Sequence, residues 1–100
     1  MPNKSNVDKE LKIDDNVQKP KTVFVFKYDG SLQCGMGQAI KVTEMAKQLD
    51  DIKIYSSMNR SDGQMRIQVC GSSTGQANIY EIDAGSLEKA VKLGFKLWKF

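Results

Sequence analysis

Thr22-Val23-Phe24-Val25-Phe26-Lys27-Tyr28 decides the fold class. The run is β-branched and aromatic almost without interruption, the composition of a strand buried within a sheet. Asp29-Gly30 closes it with turn chemistry. Everything that follows must pack against this strand.

Downstream, Met36, Ala39, Val42, Met45, Ala46 and Leu49 recur at three- and four-residue spacing, which predicts a helix with one apolar face. Asp50-Asp51 opposes the helix dipole and marks its end. Ile52 to Met58 then alternates, with Ile52, Ile54 and Met58 on one face and Lys53, Tyr55 and Ser57 on the other. Asn59-Arg60-Ser61-Asp62-Gly63 reads as a hairpin turn. Met65, Ile67 and Val69 alternate with Arg66, Gln68 and Cys70 as a third strand, and Gly71 to Gly75 forms a second turn. Gln76 to Asp83 is the fourth strand, with Ile79, Tyr80 and Ile82 as its apolar members. Ser86 caps a closing helix, whose stripe is Leu87, Ala90, Val91, Gly94, Leu97 and Trp98. Gly94 on that stripe predicts close backbone packing.

The expected order is therefore β-α-β-β-β-α, an α+β domain with a four-stranded mixed sheet. The first two strands join by a right-handed crossover, the later ones form a meander, and two helices cover one face. Upstream, residues 1–21 read as a flexible, disordered polar tail, and 22–100 as the single domain. The paired Cys-Gly dipeptides and the late Gly94-Phe95 resemble those of small bacterial proteins, a likeness to no named family that implies no function.

With 100 residues and 40% hydrophobic side chains, the chain has the composition of one soluble domain. No apolar run approaches the roughly 20 residues that span a bilayer, so no transmembrane segment is expected. The net charge is +3, and four Lys against one Glu after Gly85 account for it. There is no His, which removes the commonest general base and metal ligand. Two Cys without His make a poor zinc set, so neither metal nor cofactor is expected. No acid pair suggests catalysis, and the protein is read as a non-enzyme.

Four features carry the candidate sites. Cys34 and Cys70 form a disulfide or stay as thiols. In the expected topology they sit at opposite ends of a strand about 20 Å long, whereas bridged Cα atoms lie within about 7 Å. Only an extended Asp29–Gln38 segment running back across the sheet would join them. The Gly30, Gly35 and Gly37 loop, between a strand and a helix, is a candidate anion site, although its spacing matches no nucleotide motif. On the outer sheet face, Tyr55 and Arg66 point away from the helices. Phe24, Phe26 and Tyr28 join them if Val23 and Val25 face inward. Such a surface suits a protein contact, cover by the tail, or stacking of single-stranded bases. Lys89, Lys92 and Lys96, continued by Lys99, fall on one helical stripe, a solvated face or a contact for an acidic partner.

The expectation is a protein-binding or self-associating module that uses the outer sheet face or the Gly-rich loops. The alternatives are single-stranded nucleic-acid binding and thiol redox chemistry. The polar tail resembles a spacer after a removed signal, which leans the expected location towards the periplasm or exterior, with the cytoplasm otherwise.

Overall fold

The computed structural model describes residues 21–100. The tail expected over 1–21 lies, apart from Lys21, outside the described residues. The strands are β1 (Thr22–Tyr28), β2 (Ile54–Ser61), β3 (Gln76–Asp83) and β4 (Lys96–Trp98), and the α-helices are α1 (Val42–Met45) and α2 (Leu87–Lys92). Short 3-10 turns occupy Gln33–Gly35, Ala46–Leu49 and Ala84–Ser86. The α+β class and the four-stranded sheet agree with the sequence reading. The sheet itself is antiparallel, not mixed.

The strand order is β2-β3-β1-β4. β3 lies between β1 and β2, pairing antiparallel with both, and β4 pairs antiparallel with the other edge of β1. β1 and β2 still run in the same direction, as a crossover requires, but β3 is inserted between them. Both edges of β3 are thereby filled.

Three expected elements are corrected, and so is the hairpin turn expected over residues 59–63, since Asn59, Arg60 and Ser61 belong to β2. Met65 to Cys70 is no strand; the chain from Asp62 to Val69 is irregular and free of turns or bends. The first helix does not begin at Met36. Residues 36–41 are irregular, and α1 starts only at Val42. The closing helix stops at Lys92, and the rest of its expected stripe becomes β4.

The last change has a local cause. Gly94 has φ +98°, its N–H donates to Val91 C=O at 3.0 Å, and Phe95 N–H donates to Ala90 C=O at 3.0 Å. This pair of bonds is the Schellman helix stop, which needs a left-handed residue that glycine supplies without strain. Phe95 and Ala90, both buried, make the apolar contact that accompanies it.

Both helices lie on one face. Met45 and Leu49 from the first helical segment, Ala90 from α2 and Phe95 just beyond it share one core with Val25, Ile52, Tyr80 and Ile82. Tyr80 fixes the first segment further, donating its hydroxyl proton to Val42 C=O at 2.6 Å. Burial pushes its pKa up to about 12. A register shift between Ile54 and Ser56 inverts the facing of β2. An extra residue in one strand re-aims every side chain beyond it. Ile54 therefore stays with the core opposite Ile82, while Met58, expected beside it, lies opposite Ile79 on the other face.

Candidate functional site

The site is built at the end of the sheet where β1 and β2 finish and β3 begins. Tyr28 is registered with Ala77, and Ser61 with Gln76. Asp62 N–H donates to Gly75 C=O at 3.0 Å, so residues 62–75 form one wide loop closing the β2–β3 hairpin.

A buried polar network anchors its base. Asp29 accepts from Ser31 N–H at 2.8 Å, Ser31 Oγ at 2.6 Å and Asn59 Nδ2 at 3.0 Å. Burial opposes the Asp29 charge, yet these donors outweigh it and hold the pKa below the ordinary carboxylate value. Asn78, fully buried, donates to Ile40 C=O at 2.8 Å and accepts from Asn59 Nδ2 at 2.9 Å. Ser31 Oγ and Thr74 Oγ1, 2.5 Å apart, tie the Gly30 loop to the hairpin loop.

The two cysteines complete the tie. The sulfurs of Cys34 and Cys70 lie at disulfide distance, with Cα atoms 5.1 Å apart. The expected obstacle disappears because Met65 to Cys70 does not run down the sheet. Cys70 stays at the same end as Cys34. Beside the bridge, Leu32 pairs with Ser73, and Gln33 N–H donates to Ser72 C=O at 2.7 Å.

Gln33 also reaches the loop with its side chain. Its Nε2 donates to Ile67 C=O at 3.1 Å, and its Oε1 accepts from Val69 N–H at 2.9 Å. One amide group thus occupies the backbone positions that a neighbouring strand would fill. Arg66 forms an ion pair with Asp62, which also accepts from Tyr28 Oη at 2.8 Å. The Arg66 guanidinium lies 5.8 Å from the Tyr28 ring centre. Gly75, buried with φ +80°, leaves room for this pair, since a Cβ there would stand 2.6 Å from Arg66 Nε.

The loop is thus fixed from within and apolar outside. Met65 is 100% exposed, Ile67 82% and Val69 50%.

The outer sheet face is a second surface. Val25 is buried with the helices, so Phe24, Phe26 and Tyr28 face away from them. Trp98 and Phe100 extend this aromatic group: Phe24 and Phe100 are 4.9 Å apart, and Phe26 and Trp98 5.2 Å. Arg60 lies over the Phe100 ring at 5.4 Å. Phe24, Phe26 and Trp98 are half-buried against one another, and Trp98 Nε1 is buried without an acceptor among the described residues. Sequence reasoning missed Trp98 and Phe100 here. The signal was present in Gly94, which ends the helix and frees them for a strand.

The other candidates separate. Tyr55 is exposed at the sheet edge and donates to Asp83 at 2.7 Å. Arg66 belongs to the loop, not to a strand face. Lys89 and Lys92 lie on α2, but Lys96 lies on β4 opposite Phe26, so the single lysine stripe does not form. Lys89 pairs with Asp51, joining α2 to the end of the first helical segment. At Gly30, Gly35 and Gly37 no α-helix opens, only the 3-10 turn Gln33–Gly35, and the N–H groups of Ser31, Leu32, Gln33, Met36 and Ile40 already meet protein acceptors. Among the described residues no helix is long and apolar enough to cross a membrane. No family model, curated protein or solved structure matches the chain.

Proposed function

We propose that the protein is a non-enzymatic module that binds protein by self-association, with the 62–75 loop as its contact surface. One observation carries this reading. Met65, Ile67 and Val69 stand exposed on a segment whose backbone is held by Gln33, the Arg66–Asp62 pair and the Cys34–Cys70 tie. Exposed apolar side chains on a backbone that is already held lose little backbone entropy on contact, which favours binding. The aromatic sheet face is the weaker candidate for this role, because its central rings already bury one another.

Sedimentation equilibrium of the whole chain over a wide concentration range tests the proposal. The wild-type chain is expected to associate reversibly, and the Met65→Ser/Ile67→Ser/Val69→Ser variant to remain monomeric with unchanged circular dichroism. A wild-type monomer throughout would refute it.

A second reading is favoured by the aromatic face. Phe24, Phe26, Tyr28, Trp98 and Phe100, with Arg60 and Lys96 beside them, offer stacking surfaces and positive charge to single-stranded nucleic acid. Binding of a labelled oligonucleotide that weakens with salt and is lost in Phe100→Ala/Arg60→Ala would support it. Absence of binding at low salt removes it.

A further inference from the structure

The backbone of the same loop specifies how two copies would meet. Residues 64–69 join no ladder but carry no helix, turn, bend or positive φ, and in an extended chain the C=O of one residue and the N–H two positions later point to the same side, with the groups of the residue between pointing to the opposite side. Gln33 takes Ile67 C=O and Val69 N–H on the inner side. The N–H and C=O of Gln68, and those of Arg66 two residues earlier, consequently face outward. Among the described residues no backbone hydrogen bond reaches them. An edge with both groups of residues 66 and 68 unfilled is self-complementary. Laid antiparallel on its own copy about a two-fold axis at Ile67, Arg66 of one chain pairs with Gln68 of the other, and each pair exchanges two hydrogen bonds.

Side chains and charge agree with this register. Ile67 falls opposite its own copy and Met65 opposite Val69, so the exposed apolar residues line one face of the ribbon together. Arg66 falls opposite neutral Gln68. Residues 62–75 carry no charge besides Asp62 and Arg66, which pair with each other, whereas the chain as a whole is +3. Two copies can approach at this neutral end without the repulsion they would meet elsewhere.

We propose that a second copy of the chain is the partner, joined by antiparallel pairing of residues 65–69 centred on Ile67. This rests on the loop being the contact surface and adds its register. The ribbon has only two strands, so the dimer is weak and reversible.

Two measurements on the whole chain test the register. Gln68→Pro removes the outward N–H while leaving the Gln33 contacts in place, and proline fits an extended backbone. It should weaken dimerisation at least about tenfold in sedimentation equilibrium between ~10 µM and ~1 mM. Ile67→Cys places two thiols directly opposite, with Cβ atoms about 5 Å apart, and mild oxidation should give a covalent dimer. Val91→Cys, exposed on α2, should not. If the wild-type chain associates and the triple serine variant does not, yet Gln68→Pro associates normally and Ile67→Cys stays uncrosslinked, the register is wrong and the contact surface stands. If the wild-type chain never associates, both fail. Should Gln68→Pro not fold, the Ile67→Cys crosslink alone decides the register.

Discussion

Replacing both cysteines, Cys34→Ser/Cys70→Ser, should lower the free energy of unfolding by about 4 kcal/mol. The tie closes a separation of 36 residues. The chain-entropy relation for a loop of that size gives about 13 cal/mol/K of unfolded-state entropy, or about 4 kcal/mol at room temperature. The folded state should change little, because the loop keeps its other anchors: Gln33 to Ile67, Val69 and Ser72, and Ser31 to Thr74. The loss therefore arises mainly in the unfolded chain. For a domain whose total stability is about 5–15 kcal/mol, this is a large share. Urea unfolding reports it, with the sole tryptophan, Trp98, as fluorophore against Phe26. With a slope of about 1–2 kcal/mol/M, the midpoint should fall by about 2–4 M. A fall of less than about 0.5 M with the slope unchanged would refute the reasoning. It would mean that the unfolded chain gains no freedom when the tie is cut.

Further outcomes follow from single residues. Asn78→Ala should destabilise by about 2–4 kcal/mol in the same titration, because it opens space in the core and strips Ile40 C=O of its donor and Asn59 of an acceptor. Gly94→Val should lose at least about 2 kcal/mol, since φ is +98° and a Cβ would lie 3.0 Å from Lys27 Cε; a neutral result would refute the helix stop. Tyr80 has its pKa raised by burial from 10.0 to about 12, so the neutral phenol is the form the fold favours. Its stability contribution is complete below pH 10 and is lost as pH rises through about 12. Alkaline absorbance titration should show one tyrosine ionising together with loss of the fold, and Tyr80→Phe should abolish that coupled step.

Part of the architecture was legible locally. β1 and β3 announce themselves through their apolar, β-branched and aromatic composition, and α2 through the apolar spacing that begins at Leu87, although Ser86 before it makes no side-chain cap bond. The α+β class follows from their order. Met65 to Cys70 shows where local reading fails. Its alternation suits a strand beside β3, yet β3 is already flanked by β1 and β2, so neither edge of β3 remains for it. Gln33 and Cys70 hold it in a loop instead. Met58 fails for a related reason, since the register shift before it cannot be seen in a period-two pattern.

The sequence by itself determined the strand that organises the core, the α+β class and the absence of His; it placed the turn at residues 59–63, which is still strand through Ser61, and ran the last helix through Gly94, where it in fact stops. These properties reside in single residues and their immediate neighbours. Only the tertiary structure decided that β3 enters between β1 and β2, that Cys34 and Cys70 share one end, and that Gln33 fills one edge of the 65–69 segment while the other stays open. Each depends on which distant segment competes for a hydrogen-bonding edge, and that competition is settled only when the whole sheet assembles.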